Sequence, residues 1–292
     1  MSLPPPLFRW LLCVGLCVAL PLPCLARQAV DAQEEAAQAQ APGIHVVTLN
    51  LYHDQQQWPR RRVEIARVLR DLQPDVIALQ EVLQHEQLPN QAHWLGQELG
   101  YAVHFVTNDP PSRPRRYGNA LLTRGVVLER GETLLHPLDD HRVAGMVRIL
   151  SGGQALNVYV THLHWRPEGG AIRARQLDDL LAWVDATDDG HPSIIAGDFN
   201  VPTEAPELEA LRARYDDAWD ILPLPRPPPP PSTLNPHFYP EQRVRIDHVF
   251  LQRGRLQSEN VGLLFTEPDA EGLWASDHLG LSVRARLLPA GQ

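Results

Sequence analysis

The chain has 292 residues, of which 43% are hydrophobic and 21% charged, so it is long enough and apolar enough for one large domain with a sizeable core. Its formal net charge of −9 excludes a protein that coats nucleic acid with a basic surface, although a nuclease needs positive charge only in its cleft. All basic residues are arginine, so no lysine takes part in catalysis.

The N-terminal residues 1–26 predict a signal peptide. Arg9 precedes an apolar run over residues 10–22, and the small side chain of Ala26 suits cleavage after that residue. The alternative is an inner-membrane anchor formed by residues 10–26. This anchor is disfavoured because the apolar run is short and Pro21 and Pro23 interrupt it. We therefore expect an exported protein, either periplasmic or extracellular.

All three cysteines, Cys13, Cys17 and Cys24, lie within this signal segment. The mature chain therefore has no disulfide, no thiolate zinc site and no cysteine nucleophile. Residues 27–42 are rich in Ala, Gln and Glu without an apolar face, which is typical of a flexible leader. The folded domain is expected over residues 43–290.

Within this domain, apolar strand patterns alternate with amphipathic helices. One helix carries Ile65, Leu69 and Leu72 on one face, and a second carries an apolar face from Leu177 to Val184. Gly152-Gly153 predicts the turn of a hairpin. Strands are predicted over residues 44–52, 75–82, 120–123, 146–150, 156–163, 193–200, 244–251 and 279–287. Helices mixed with strands and a central hairpin indicate an α/β sandwich rather than a purely parallel sheet.

A proline-rich stretch over residues 223–231 interrupts this pattern. Too few strands follow it to make a second domain, so a stiff surface loop with polyproline II character is favoured over a linker. A ligand for a proline-recognising partner is a weaker alternative.

Polar side chains occur where the apolar strands end. Buried charges are costly unless they are paired or bind metal, so many such residues indicate a common edge where a site is assembled. The residues at the ends of strands, within one, or just before the last one are Asn50, Glu81, His162, Asp198, Asn200, Asp247, Asp277 and His278.

The chemistry of these residues predicts metal-assisted hydrolysis of a phosphate ester. The carboxylates and amides are hard oxygen ligands of the kind that Mg²⁺ prefers: Glu81, Asp198, Asp277, Asn50 and Asn200. His278 has Asp277 beside it and Asp247 also available, which is the arrangement that orients an imidazole for proton transfer. A metal with amide and imidazole donors supplies the positioning and charge neutralisation that phosphate hydrolysis needs.

A zinc site is the alternative, because His164 follows His162 by two residues. The metallo-β-lactamase pattern requires a further Asp-His shortly afterwards, and residues 165–169 contain neither. The calcineurin-like pattern requires histidine after Gly118-Asn119, where this chain has Ala120. Both zinc families are therefore disfavoured.

The ordered set of short motifs resembles the endonuclease/exonuclease/phosphatase superfamily over residues 43–288. Each motif is weak alone, but the order of the set is specific. The motifs are Thr-Leu-Asn at 48–50, Leu-Gln-Glu-Val at 79–82, Gly-Asn-Ala-Leu-Leu-Thr-Arg at 118–124, Thr-His-Leu at 161–163, Gly-Asp-Phe-Asn at 197–200, Arg-Ile-Asp-His at 245–248 and Ser-Asp-His at 276–278.

This resemblance implies a four-layer sandwich, with two packed mixed β-sheets flanked by helices. It also implies a bound Mg²⁺, or Mn²⁺ in its place, held mainly by Glu81 with help from Asn50 and Asp277. Asn119 and Arg142 are expected to bind substrate.

The resemblance implies catalytic roles for five further residues. Asp198 would position or deprotonate water, Asn200 would hold the nucleophile or transition state, and His162 would contact the scissile phosphate. Asp247 would orient His278, which would act as general base or stabilise the transition state.

Departures from the motifs of individual branches of the superfamily narrow the range of expected substrates. Val82 and His162 replace the lysine and tyrosine that are usual in apurinic-site endonucleases, and Ala196 and Val201-Pro202 depart from the inositol phosphatase motif. We expect a phosphodiesterase acting on nucleic acid or a phospholipid headgroup, without a protein partner and as a monomer. The alternatives are a phosphomonoesterase on a sugar or inositol phosphate and a catalytically inactive binding module.

Overall fold

The computed structural model describes Met1, residues 43–222 and residues 232–289. The predicted signal peptide, the predicted leader and the proline-rich stretch at 223–231 lie outside the described residues. The elements of the described part, in chain order, are β1 (Gly43–Asn50), α1 (Trp58–Leu72), β2 (Val76–Gln84), α2 (Gln91–Leu99), β3 (Ala102–Val106), β4 (Arg116–Thr123), β5 (Val127–Leu135), β6 (Arg142–Ser151), β7 (Gln154–His162), α3 (Gly170–Thr187), β8 (Ser193–Asp198), α4 (Glu209–Arg212), β9 (Tyr215–Asp217), β10 (Asp247–Gln252), β11 (Leu256–Leu264) and β12 (Gly280–Leu287).

The described strands form two mixed sheets, which confirms the prediction from the resemblance, and each sheet has six strands. The first has the order β11-β12-β1-β2-β4-β3 and the second has the order β5-β6-β7-β8-β10-β9. Only β1–β2 and β7–β8 pair in parallel among the described strands, and the remaining pairs are antiparallel. The predicted turn at Gly152 and Gly153 joins the antiparallel neighbours β6 and β7.

Alternating side chains of the strands build separate apolar layers. In β1, Ile44 and Val46 pack into the cluster shared by strands of both sheets, whereas Val47 and Leu49 pack with residues of α1 and α2. This follows from the two-residue period of a strand, which sends successive side chains to opposite faces. A third cluster joins α3 to the outer face of the second sheet. The result is the four-layer order of helix, sheet, sheet and helix.

The two predicted amphipathic helices are confirmed. Ile65 and Leu69 of α1 are buried, with Pro59 in its first turn, while Leu72 at its C-terminal end is only half-buried. The apolar face of α3 from Leu177 to Val184 is buried. In the described residues, no helix is both long enough and apolar enough to cross a membrane.

Two predicted strand boundaries were wrong in a way that matters for the site. β8 ends at Asp198, so Asn200 lies beyond the strand, and β10 begins at Asp247, so this aspartate opens the strand instead of interrupting it. Apolar residues continue past both ends, and periodicity alone therefore does not mark them. The sequence pattern also missed α2, β3, β5, α4, β9 and β11.

Candidate active site

The polar strand ends meet at one edge of the sandwich. The parallel pairs bring Asn50 opposite Gln80 and His162 opposite Asp198. Asp247 opens an antiparallel strand and pairs with Asp198 in the register of the second sheet. Antiparallel strands begin at the edge where their neighbours end, so residues at strand starts and strand ends converge there.

Asp198 is the centre of the site, and it is 1% exposed. Its Oδ2 accepts a hydrogen bond from Nδ2 of Asn50 at 3.1 Å. The same oxygen lies 3.5 Å from Nε2 of His162 and 3.9 Å from Nε2 of His278. Its Oδ1 accepts from the backbone N–H of Asn200 at 2.9 Å. The structure therefore brings four predicted site residues around one carboxylate.

Gly197 allows the two parallel strands of this site to come together. Its φ is 155°, and a Cβ at this position would lie 2.1 Å from the carbonyl oxygen of Thr161. A side chain would force apart the strands that carry His162 and Asp198. The glycine before Asp198 is thus required by packing.

His278 is hydrogen-bonded to Asp247, and both are buried. Nδ1 of His278 lies 2.8 Å from Oδ2 of Asp247, whereas Asp277 beside it points to other partners. The backbone N–H of Asp247 donates to Oγ1 of Thr233 at 3.1 Å, which fixes the start of β10. Oδ1 of Asp247 is buried without a hydrogen-bond partner.

The pKa values of the buried groups around Asp198 shift in different directions. Burial opposes the charged form of His278, but the carboxylates around it, above all Asp247, raise its pKa well above the usual value. Burial lowers the pKa of His162, and the positive charge of Arg142 lowers it further. Burial and the charge of Asp247 raise the pKa of Asp198. The pocket thus holds an imidazole that favours its charged form next to one that favours its neutral form.

Glu81 reaches this edge through a bulge in β2. The register of β2 against β4 shifts between Leu79 and Val82, and Glu81 has a φ of 56°. Its Oε2 lies 3.6 Å from Nε2 of His53, and its side chain is 20% exposed. Left-handed backbone at a non-glycine residue is strained, and such strain is typical of functional sites.

Asp277 is held by residues from two directions. Its Oδ2 accepts from the hydroxyl of Tyr239 at 2.8 Å, and Oγ of Ser276 lies 3.4 Å from its Oδ1. Ser276 also donates to the carbonyl of Asn50 at 2.7 Å, which ties the segment before β12 to the end of β1. Burial, the charge of Asp277 and the hydrogen bond to it raise the pKa of the Tyr239 hydroxyl.

A cleft of about 780 Å³ lies at this edge. Its wall combines carboxylates, imidazoles and arginine with apolar side chains. The lining residues are Glu81, Tyr117, Arg142, His162, Trp165, Pro167, Arg173, Asp198, Asn200, Val201, Pro202, Leu234, Tyr239, Gln242, Val244, Ile246, Asp277 and His278. Buried charges, an open volume and a mixed wall are the usual features of an enzyme site.

Asn119 and Arg142 occupy different places, although both were predicted to bind substrate. Arg142 lines the cleft, with Nε 3.7 Å from Oδ2 of Asp140. Asn119 is buried away from the cleft lining and donates to the carbonyl of Val143 at 2.9 Å, so its contact links the two sheets.

Asn50 likewise has both side-chain atoms engaged by protein groups. Its Nδ2 donates to Asp198, and its Oδ1 accepts from the backbone N–H of Tyr52 at 3.0 Å. This shows a positioning contact on Asp198, and its role as a metal ligand stays a prediction. Asn200 lines the cleft, and its Nδ2 donates to the carbonyl of Leu163 at 3.1 Å.

The sequence analysis missed Tyr117, Tyr239 and Trp165 as cleft residues. Tyr117 directly precedes the Gly118-Asn119 motif, which could have revealed it, whereas Tyr239 and Trp165 lie in loops without a motif. His164 is buried, and its Nδ1 lies 2.8 Å from Oδ1 of Asp140. Among the described residues, the candidate metal-ligand group of Asp198, Asp247 and His278 contains neither His162 nor His164, so the zinc alternative stays disfavoured.

The donor set of the cleft fits a divalent cation. Among the described residues, Asp198, Asp247 and His278 each offer one ligand atom, and these atoms lie within 4.8 Å of one another. The carboxylates of Glu81 and Asp277 line the same cleft. The three carboxylates that line the cleft, Glu81, Asp198 and Asp277, concentrate negative charge that a divalent cation would neutralise.

The Endonuclease/Exonuclease/phosphatase family model matches residues 47–278, which contain the whole cleft. Two relatives match about half of the chain at 28% identity. The probable RNA exonuclease C9B6.11c of Schizosaccharomyces pombe matches 54% of this chain and 34% of its own length. The uncharacterised protein YbhP of Escherichia coli K12 matches 56% of this chain and 69% of its own length. The chain thus spans about a third of the first relative and about two thirds of the second.

A solved structure shows the same fold. The structure of D. rerio TDP2 complexed with a single-strand DNA product has a TM-score of 0.70 and 19% identity to this chain. The match covers 84% of this chain and 99% of that one.

Proposed function

Because the chain belongs to the endonuclease/exonuclease/phosphatase family, whose members hydrolyse phosphoesters, we propose that it is a metal-dependent phosphodiesterase that directs water onto a phosphate ester. The observation that carries this proposal is the His278–Asp247 pair, whose imidazole Nε2 lies 3.9 Å from a second buried carboxylate, Asp198. An inactive binding module would have no need to bury these charges together.

The hydrogen bond to Asp247 fixes the tautomer and orientation of His278. Nδ1 of the ring is engaged, so Nε2 is the atom that holds or transfers a proton in the cleft. Asp198 is the acceptor placed to orient the attacking water, because Asn50 and the backbone N–H of Asn200 fix its two oxygens. The water oxygen forms the new P–O bond and gives its proton to a basic group of the active site. The departing alcohol takes up a proton as the old P–O bond breaks.

His162 and Arg142 are the groups placed to bind the phosphate oxygens. The low pKa of His162 keeps its ring neutral, so it contacts the ester as a hydrogen-bond donor. Arg142 supplies fixed positive charge on the cleft wall.

Glu81 and Asp277 are assigned as ligands of a Mg²⁺ or Mn²⁺ ion, because both are oxygen donors that line the cleft. The other acidic groups are already engaged, since Asp198, Asp247 and His278 contact one another. When bound, the ion would neutralise charge on the phosphate oxygens. The alternative is that the Asp198, Asp247 and His278 grouping holds the ion.

Titration calorimetry with Mn²⁺ separates these assignments. Glu81→Gln should weaken Mn²⁺ binding by at least tenfold, while Asp247→Asn and the exposed control Glu86→Gln should change it by less than threefold. The reverse order for Glu81 and Asp247 would move the ion to the Asp198 grouping.

Activity is tested with bis(p-nitrophenyl) phosphate and with single-stranded DNA and RNA, in Mg²⁺ or Mn²⁺. EDTA should abolish hydrolysis, and readdition of the metal should restore it. Sphingomyelin, phosphatidylinositol and p-nitrophenyl phosphate complete the panel, because faster cleavage of the last would favour a phosphomonoesterase. No cleavage of any of these esters with either metal would refute the enzyme assignment.

Export also stays a proposal, supported by the sequence of residues 1–26. N-terminal sequencing of protein from a periplasmic or culture fraction should begin at residue 27. An intact N-terminus in the membrane fraction would instead indicate the anchor formed by residues 10–26.

A further inference from the structure

Trp165 is a large apolar side chain that stands exposed at the cleft. It is 59% exposed, and it lines the cleft together with His162 and Asp198. It lies in the loop at residues 163–169, between β7 and α3. It follows His162 by three positions in the chain, so the two Cα atoms are at most about 11 Å apart.

A buried arginine braces this loop. Arg173 is 2% exposed, and its guanidinium donates to the carbonyl oxygens of His164, Arg166 and Pro167 at 3.1, 2.7 and 3.1 Å. Its Nε donates to Glu207 at 2.8 Å, so the charge is also paired. The backbone on both sides of Trp165 is therefore held by one rigid group.

His164, directly before the tryptophan, is fixed as well. Its backbone N–H donates to Gln176 at 2.8 Å. Gly169 packs so closely against the ring of His164 that a Cβ there would lie 2.1 Å from it. These contacts hold the loop backbone while the indole stays exposed to solvent. An aromatic side chain on a rigid loop needs less ordering when it binds a ligand, which favours binding.

The chemistry around the indole suits a planar ring attached to an anion. The guanidinium of Arg166 lies 5.3 Å from the centroid of the Trp165 ring. The wall of the same cleft carries Pro167, Val201 and Pro202 among its apolar residues and Arg142 among its charged ones. Bases stack on aromatic side chains in this way, with arginine adding cation–π attraction.

We propose that Trp165, with Arg166 against its ring, is a stacking platform for a nucleobase of single-stranded nucleic acid. The inference rests on the proposed function, because it requires the adjoining phosphate to sit at His162 and His278. It makes Trp165 a specificity residue that selects base-bearing phosphodiesters.

A lipid surface fits the structure less well. A membrane-binding face needs a contiguous apolar patch, whereas Trp165 is the one exposed large apolar residue within the described ranges that lines the cleft. The other exposed large apolar residues in the domain are Val63, Val126, Leu128, Leu134, Leu138 and Leu150.

The test compares two short oligodeoxynucleotides with the same backbone, one of thymidines and one of base-free deoxyribose residues. Trp165→Ala should lower kcat/KM for the thymidine strand by roughly 5- to 150-fold, the range of one base–aromatic stack. Hydrolysis of the base-free strand should change by less than twofold. Trp165→Phe should recover most of the loss, and the exposed control Leu138→Ala should match wild type.

Equal losses on both strands would show a structural role, and no loss on either would show no contact; both overturn the proposal. Unchanged cleavage of the thymidine strand with weakened binding to sphingomyelin vesicles would also overturn it, in favour of a lipid surface. Fluorescence anisotropy of the two labelled strands measures binding without hydrolysis. A Trp165-dependent preference for thymidines would therefore support the platform even if the protein cleaves no ester, which keeps the two proposals separately testable.

Discussion

The buried carboxylate of Asp217 anchors the strand that carries Asp247, and replacing it should destabilise the protein strongly. Oδ2 of Asp217 accepts from Nη1 of Arg245 at 2.5 Å and lies 2.7 Å from Nδ1 of His248. Oδ1 accepts from the backbone N–H of Trp219 at 2.8 Å. The network ties β9 to β10 just beyond the active-site aspartate.

The size of the effect follows from the pKa of this group. Burial opposes ionisation, but the hydrogen bonds and charges of His248 and Arg245 outweigh it and lower the pKa of Asp217 to about 2. Against an unfolded value near 3.8, this corresponds to about 2.4 kcal/mol. Asp217→Asn removes this interaction and leaves Arg245 with less buried negative charge, so the free energy of unfolding should fall by about 2–4 kcal/mol at pH 7.

Urea unfolding followed by tryptophan fluorescence measures this loss. Asp216→Asn is the matched control at the neighbouring position. The carboxylate of Asp216 is paired with the exposed Arg253, so this pair should contribute less than about 1 kcal/mol to stability. The folded pKa of Asp217 lies below the unfolded one, so its contribution is present above about pH 4 and disappears as pH falls towards 2. The variant should lack this part of the acid-induced loss. If Asp217→Asn unfolds like Asp216→Asn, or loses as much stability on acidification as wild type, the reasoning is refuted.

Three further changes test the site and the core. His278→Asn should lower kcat by roughly 10²- to 10⁴-fold, while the exposed control His136→Asn should retain full activity. Near-normal kcat in a folded His278→Asn variant would remove the imidazole from the mechanism. Gly197→Ala should cost more than about 3 kcal/mol of stability or prevent folding, because its Cβ would meet the Thr161 carbonyl at 2.1 Å, and a soluble variant with wild-type stability and activity would contradict this. Burial, followed by the charge of a nearby arginine, lowers the pKa of His45 to about 4. The folded state therefore resists protonation of this ring, and the free energy of unfolding should fall as pH drops from about 6.5 towards 4. His45→Gln should remove about 1–2 kcal/mol of this fall between pH 7 and pH 5, as measured by urea unfolding, and an unchanged pH slope would show that the histidine is solvated.

Much of the site could be predicted from the sequence because its residues are polar where a strand pattern is apolar. Glu81, His162 and Asp198 each interrupt or end a buried run, and the cost of burying them demands a partner or a metal. The order of the motifs indicated the family, and the family implied the fold. The same reasoning misplaced the start of β10. The role of Asn119 in substrate binding, which the resemblance implied, stays a prediction, and in the structure its side chain makes a contact between the sheets.

The sequence by itself determined the family through the order of its motifs, and the resemblance to that family implied the two-sheet sandwich. It also determined the chemical types in the cleft, because residue chemistry is a local property of the chain. Only the tertiary structure decided which groups meet. The His278–Asp247 bond spans 31 residues, and the Tyr239–Asp277 bond spans 38. It also decided that Trp165 stands exposed on a loop braced by Arg173. Such contacts depend on the register of distant strands and on the loops that these strands bring together, and no local pattern encodes that arrangement.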